Sequence, residues 1–191
     1  MRALVAIALF CAAGCARPQL PDYGKVPEFA LRDQHEQTVS PADLRGKIWI
    51  ANFMFASCPD ICPILTSKLS AVRMRLHADR VMAQYVSFSV DPEHDTPAVL
   101  AKYATEHNAE FSDWRFLTGP LDKVEQVIVG GFKQALQRTP GEPGKPMNIM
   151  HGSHFVLVDP ALTIRGFYPS DEEGMQLIAR DARILSLEKK P

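Results

Sequence analysis

Two cysteines, Cys58 and Cys62, are the residues of this chain whose type and spacing best suit chemistry. They lie in a Cys-Pro-Asp-Ile-Cys-Pro stretch at residues 58–63, directly after an apolar run at residues 48–55. If the stretch forms the first turn of a helix, the two side chains share one face, with their Cβ atoms about 5–6 Å apart. Sulfurs this close can form a disulfide after a small adjustment, or hold one soft metal ion together. The spacing alone leaves both chemistries open.

Pro59 and Pro63 are predicted to stiffen this stretch. Proline is tolerated near a helix start because the first amides have no partner within the helix. Both sulfurs should then lie near the positive end of the helix, where the field lowers the pKa of a thiol. The thiolate is the form that binds metals and attacks disulfides. A purely structural disulfide is the alternative, although closing so short a loop would constrain little of the unfolded chain.

A metal site with two thiolates needs at least one further ligand, and the chain contains six histidines. His151 precedes a predicted strand on a loop that can bend toward the cysteines, which favours it over His154 at the start of that strand. His94 follows another strand, at the edge of the sheet where α/β folds form their sites, and suits a supporting role. Surface positions are predicted for the remaining three, His35, His77 and His107. The thioethers of Met147 and Met150 can also bind copper(I), but apolar packing is the commoner role.

The elements that must position these residues alternate between strands and helices. The apolar patterns predict a hairpin at residues 29–39, a capped turn at 40–44, strands at 48–55, 81–90 and 114–117, and helices after residue 62 and at 98–106 and 121–137. A loop at residues 138–148, a hairpin at 155–168 and a last helix capped by Ser170 complete the chain. A cysteine pair between a buried strand and the next helix is the thioredoxin-like arrangement. We therefore predict a three-layer α/β sandwich with an N-terminal β-hairpin extension.

Length and charge exclude some classes of function. A chain of 191 residues suits one domain with a short appendage, and 46% apolar residues suffice for a core. The formal net charge of -1, without a dense basic run, argues against nucleic-acid binding. The function must therefore lie in a local site.

The N-terminus indicates export. Residues 3–13 form an apolar run that is too short to span a bilayer but fits a secretory signal. The Ala-Ala-Gly-Cys ending at residues 12–15 resembles a bacterial lipoprotein box, in which Cys15 becomes the lipidated first residue. Ordinary cleavage and an uncleaved short anchor are the alternatives, and all three place the domain outside the cytoplasm. We predict a signal peptide at 1–14, a tether at 15–25 and the folded domain at 26–191.

A location outside the cytoplasm affects the oxidation state of the cysteines. Cys11 falls in the predicted signal and Cys15 is the predicted lipidation site, so the folded part retains Cys58 and Cys62. In an oxidising compartment an unprotected pair tends toward a disulfide.

Three segments together resemble the Sco/SenC family of thioredoxin-like copper proteins that assist assembly of cytochrome c oxidase. They are the cysteine motif at 58–63, Ser-Val-Asp-Pro-Glu-His-Asp-Thr-Pro at 89–97, and the segment 151–159, whose histidine stands nine residues before Pro160. The resemblance runs from about Pro27 to the C-terminal helix. It implies that Cys58, Cys62 and His151 bind copper(I) or copper(II), with Cys58 and Cys62 forming a disulfide when oxidised. The chain departs from the family at His94, where arginine is common, and in a lipid anchor where many members use a transmembrane helix.

The resemblance implies an extracytoplasmic metallochaperone, held at the cell membrane by its lipid anchor and facing the periplasm or extracytoplasmic space. Its recipient would be the copper-bearing subunit of cytochrome c oxidase, where it would help assemble the dinuclear copper centre. Another periplasmic copper chaperone is a candidate partner.

The rival function is that of a thiol–disulfide oxidoreductase that keeps a partner's metal-site cysteines reduced, with Cys58 attacking and Cys62 resolving. The spacing is not Cys-x-x-Cys, and no proline stands directly before Phe155, which weighs against this as the sole function. A peroxidase is disfavoured because the Cys58 loop lacks the Pro-x-x-x-Thr-x-x-Cys pattern. A structural zinc site would need a fourth good ligand.

Overall fold

The computed structural model describes residues 19–109, 111–139 and 148–188, so Cys11, Cys15 and Met147 lie outside the described part of the chain. Its strands are β1 (Leu31–Asp33), β2 (Thr38–Val39), β3 (Ile48–Met54), β4 (Ala83–Ser89), β5 (Trp114–Thr118), β6 (Leu136–Thr139), β7 (Asn148–His151), β8 (Phe155–Val158) and β9 (Ile164–Tyr168). Its α-helices are α1 (Pro41–Leu44), α2 (Ile61–Ala78), α3 (Pro97–Glu106), α4 (Leu121–Glu125) and α5 (Glu172–Leu187), and a π-helix (Gln126–Gly131) follows α4.

A seven-stranded sheet in the order β2-β1-β5-β4-β3-β8-β9 forms the middle layer. Strands β3, β4 and β5 run parallel, whereas β8 is antiparallel to β3. All seven residues of β3 are buried, as expected of a parallel strand covered on both faces. The hairpin of β1 and β2 pairs with β5 and extends the sheet. The predicted thioredoxin-like α/β sandwich with an N-terminal hairpin extension is confirmed.

Ser87 and Phe88 mark the two faces of the sheet, since neighbouring side chains of a strand point in opposite directions. Ser87 accepts a hydrogen bond of 2.9 Å from the indole of Trp114, which stacks with the ring of Phe111. The guanidinium of Arg73 in α2 lies over the ring of Phe111. Phe88 instead packs against Phe132, which follows the π-helix. Helices therefore cover both faces, and α2 contacts α5.

The predicted helix at 121–137 is wrong beyond Gly131. Helix α4 ends at Glu125, the π-helix ends at Gly131, and the chain turns at Lys133 with φ 55°. Glycine lowers helix stability, and a Cβ at Gly131 would lie 2.1 Å from the ring of Pro27. The backbone at Gly131 therefore packs against Pro27 with no room for a larger side chain.

The predicted loop at 138–148 is also partly wrong. Strands β6 and β7 pair in antiparallel fashion as a separate two-stranded sheet, which we call the histidine ribbon because His151 ends it. His151 was expected on a loop but occupies the last position of a strand. The final helix likewise begins one residue later than predicted, because Asp171 rather than Ser170 accepts the capping hydrogen bond, from the amide of Gly174.

The described end of the predicted tether runs beside the last hairpin. The amide of Tyr23 donates to the carbonyl of Ile164 at 3.0 Å, and the amide of Ile164 donates to Gly24 at 2.9 Å. Leu20 is buried in the core. Among the described residues, no helix combines the length and the apolar character needed to cross a membrane.

Phe132 should be a main determinant of stability. Its ring is fully buried and lies 5.3–6.0 Å, centroid to centroid, from the rings of Trp49, Phe53 and Phe88. Phe132→Ala is expected to lower the free energy of unfolding in urea by about 3–5 kcal/mol, through lost burial and a cavity. The control is Val129→Ala at an exposed position of the π-helix, which should change it by less than about 0.5 kcal/mol. Equal losses in both variants would contradict this account.

Candidate metal centre

The cysteines lie at the carboxyl end of β3, where that strand passes into α2. The amide of Cys58 donates to the carbonyl of Phe55 at 3.2 Å, and this turn precedes the helix, which begins at Ile61. Only Cys62 therefore lies in the first helical turn, and the expectation of both cysteines on that turn is wrong. The amide of Cys62 donates to the sulfur of Cys58 at 3.3 Å, so the two residues still approach each other.

His151 completes the approach from a distant part of the chain. Its Nε2 lies 3.7 Å from the sulfur of Cys62, although the two residues are 89 positions apart. A sulfur and a nitrogen bound to one tetrahedral zinc ion, with ordinary bond lengths, would lie about 3.6 Å apart. The ring also packs edge to face against Phe55, with centroids 6.0 Å apart. The spacing of the two donor atoms thus suits a shared first-row metal ion.

The protonation of His151 also suits a ligand. Its Nδ1 lies 3.0 Å from the carbonyl oxygen of Gly152. A carbonyl can only accept, so Nδ1 carries the proton and the lone pair of the neutral ring is on Nε2, facing Cys62. Burial lowers the pKa of His151, which keeps the ring neutral near neutral pH, and the bond to Gly152 opposes this only in part. Neutral imidazole is the form that binds metals.

The burial of the thiols and the pKa of Cys62 differ from what the sequence predicted. Both cysteines are free, Cys58 is 7% exposed and Cys62 is fully buried. Burial, with a smaller contribution from the neighbouring Cys58, raises the pKa of Cys62 well above its ordinary value of 9.0. The prediction that the helix terminus lowers this pKa is therefore wrong for Cys62 in the metal-free protein, because loss of solvent outweighs the field of the helix.

Asp95 holds the loop that leads to Cys58, and sequence reasoning missed it. Its carboxylate is buried and accepts hydrogen bonds from the amide of Ala56 at 3.1–3.2 Å and from the hydroxyl of Ser89 at 2.6 Å. Burial raises the pKa of Asp95, whereas these two bonds lower it. A signal was present, since Asp95 lies in a polar segment directly after a buried strand.

A comparison with known proteins decides the family. The sequence profile of SCO1/SenC matches residues 18–186. The chain belongs to the SCO1/SenC family.

Solved structures of similar proteins include other members of this family. An SCO1/SenC family lipoprotein from Bacillus anthracis is 27% identical, with a TM-score of 0.76 over 85% of this chain and 95% of that one. BsSco, a member of the Sco family of cytochrome c oxidase assembly proteins in which a disulfide switch was identified, is 30% identical, with a TM-score of 0.74 over 90% of this chain and 98% of that one. Copper-bound yeast Sco1 is 25% identical, with a TM-score of 0.72 over 88% of this chain and 91% of that one.

The other candidate ligands of this SCO1/SenC member are exposed or bonded to other residues in the described part of the chain. Met150 is 66% exposed and, as the neighbour of His151 on one strand, points to the opposite face of the ribbon. His154 is exposed just before β8. The Nδ1 of His94 lies 2.9 Å from the carboxylate of Asp91, which raises the pKa of His94, and its side chain is 67% exposed. Of the remaining histidines, His35 lies in an exposed turn. His77 is hydrogen-bonded to Asp113, and the ring of His107 contacts the ring of Tyr103.

The three proposed ligands contact one another in pairs and are not yet gathered around one point. Within residues 19–109, 111–139 and 148–188, no three His, Cys, Asp or Glu side chains are already grouped to hold a metal ion. Cys62 is the common member of the two contacts, with the sulfur of Cys58 at 3.3 Å from its amide and His151 at 3.7 Å from its sulfur. Joining all three donors on one ion therefore requires an adjustment of the side chains.

The burial of Cys62 leads to a prediction about the reduced, metal-free protein. We expect Cys62 to remain protonated through pH 9.0, its ordinary pKa, because burial disfavours the thiolate. The Cβ chemical shift of Cys62, followed against pH in a variant with Cys11, Cys15 and Cys58 replaced by serine, measures this directly.

Denaturant provides the control for this titration. In the unfolded chain the midpoint should return to about 9.0, the ordinary pKa of this thiol. A folded-state midpoint at or below the unfolded one would show that the helix terminus, not burial, governs this thiol.

Proposed function

We propose that Cys58, Cys62 and His151 bind one copper ion, which this protein carries as cargo for assembly of the dinuclear copper centre of cytochrome c oxidase. The observation that carries the proposal is the 3.7 Å contact between the sulfur of Cys62 and the Nε2 of His151. This contact adds an imidazole lone pair to a cysteine pair that is otherwise local in sequence.

The chemistry of these donors favours copper. Thiolates select copper(I), zinc and iron–sulfur clusters, and imidazole suits zinc and copper, whereas a structural zinc site needs four ligands. Copper(I) accepts two thiolates and one imidazole, and copper(II) can add an oxygen ligand from water or a carboxylate. Because Cys62 is protonated in the metal-free protein, copper binding must release its proton.

The similar proteins support the cargo and its destination. Yeast Sco1 has been solved with copper bound, and BsSco belongs to a family of cytochrome c oxidase assembly proteins. For this chain we infer the copper-bearing subunit of the oxidase as recipient, with another periplasmic copper chaperone as a candidate donor.

A lipid anchor at Cys15 is part of the proposal. The Bacillus anthracis relative is a lipoprotein, and residues 12–15 of this chain resemble a lipoprotein box. The signal peptide at 1–14 would be removed. The lipid on Cys15 and the tether at 15–25, whose described end packs beside the last hairpin, would then hold the domain at 26–191 on the outer face of the cell membrane.

Substitution of His151 tests copper binding. His151→Ala is expected to weaken the affinity of the reduced protein for copper(I) at least tenfold, or about 1.4 kcal/mol, because one of three donors is lost. The measurement is competition with a copper(I) chelator. The matched control is His154→Ala, three residues away and exposed, which should leave the affinity unchanged. Equal affinities of His151→Ala and the wild type would remove His151 from the ligand set.

Thiol–disulfide exchange is a second candidate function, favoured by the two free, adjacent thiols. The less buried Cys58 would attack a partner disulfide as its thiolate, forming a mixed disulfide and releasing one partner thiol. Cys62 would then displace the second partner thiol. The partner gains two electrons and two protons, and this chain is left with a Cys58–Cys62 disulfide.

The two functions respond differently to the same variants. Reduction of a partner disulfide should survive His151→Ala and fail in Cys62→Ser, since resolution needs the second thiol but not the imidazole. Copper binding should weaken in both variants. Partner reduction by a protein that takes up no copper would establish the exchange function alone.

A further inference from the structure

The histidine ribbon has an inward face, which its register defines. Leu136 pairs with His151, and Arg138 pairs with Ile149. Paired residues share a face, as do alternate residues of one strand, so these four side chains point the same way. Ile149 is 7% exposed, and Leu136, Arg138 and His151 are half-buried, whereas residues between them are exposed. The inward face therefore lies against the body of the domain.

Arg138 is a charged residue on this inward face, and its guanidinium reaches two elements of the body. One nitrogen donates to the carbonyl of Val90 at 2.7 Å, and another bonds to the carboxylate of Glu125 at the end of α4. The side chain is only 16% exposed. Charge-assisted bonds from the planar fork of arginine fix direction as well as distance, so this residue holds the ribbon in one orientation.

Val90 is part of the backbone that supports the cysteine site. It directly follows β4, and its amide donates to the carbonyl of Met54, the last residue of β3, at 2.8 Å. The cysteine loop leaves from that end of β3. Arg138 thus ties the ribbon to the same strand ends from which Cys58 and Cys62 are presented.

We infer that Arg138 is a positioning residue that holds His151 opposite Cys62. It does not contact the donor atoms but fixes the strand pair that carries the imidazole. Its effect on copper rests on the proposed function, whereas its effect on the position of His151 does not.

The positional effect can be measured without metal. In the reduced, metal-free protein, nuclear Overhauser cross-peaks between the rings of Phe55 and His151 report their edge-to-face contact. We expect these cross-peaks to be lost or strongly weakened in Arg138→Met. Gln137→Met, on the exposed face of the same strand, is the matched control and should retain them. Arg138→Lys, which keeps the charge but not the fork, should give intermediate intensity.

Copper binding supplies the second measurement. Arg138→Met is expected to weaken copper(I) affinity about tenfold, as loss of a charge-assisted contact would. The double variant Arg138→Met/His151→Ala should bind no more weakly than His151→Ala alone, because Arg138 acts through His151.

Each outcome decides a separate point. Unchanged cross-peaks and affinity in Arg138→Met would overturn the inference, as would an equal loss of affinity in the His151→Ala background. If the wild type binds no copper, the proposed function is refuted. If Arg138→Met loses the cross-peaks in that case, the positioning role still stands. Should Arg138→Met fail to fold, Glu125→Ala removes one of the two contacts of Arg138. Unchanged cross-peaks in that variant would overturn the inference.

Discussion

The parallel pairing of β3 with β4 is the constraint on which the site depends. The two strands are in register from Ile48 opposite Ala83 to Met54 opposite Ser89, so they end at the same edge of the sheet. The loop that carries the first cysteine leaves from one end, and the segment from Val90 to Asp95 leaves from the other. Asp95 then reaches the cysteine loop, and the carbonyl of Val90 receives Arg138. The cysteine loop and the ribbon that carries His151 are therefore both fixed to the same pair of strand ends.

Burial determines the chemical state of the donors before any metal arrives. The same exclusion of water raises the pKa of Cys62 and lowers that of His151. Both groups are consequently neutral at neutral pH, and no buried charge has to be compensated at the Cys62–His151 contact. The sulfur of Cys62 lies 3.7 Å from the Nε2 of His151. A soft cation that replaces the thiol proton gains the thiolate and the imidazole together.

Sequence patterns predicted the elements with strong periodicity. The buried run before the cysteines and the apolar hairpin at the end of the chain placed the main sheet correctly, and the cysteine pair identified the fold. The ribbon was missed because β6 has four residues, too few for alternation to compete with the helical pattern that precedes it.

Asp95 and Arg138 were missed for a different reason. Their partners lie 39 and 48 positions away, at Ala56 and Val90, and no local spacing encodes such contacts. His151 was predicted by its place before a strand and by the family resemblance. The structure explains the choice in physical terms, because the pairing of β6 with β7 turns His151 inward and leaves Met150 outside.

The separation of the donors along the chain couples metal affinity to folding. Cys58 and Cys62 remain neighbours even in an unfolded chain, which can therefore also bind a soft ion. Only the 89-residue connection to His151 depends on the native topology. A ligand stabilises a fold only to the extent that it binds the folded state more tightly than the unfolded one. Among the three proposed ligands, the imidazole of His151 is thus the one that makes copper bind the folded domain more tightly than the unfolded chain.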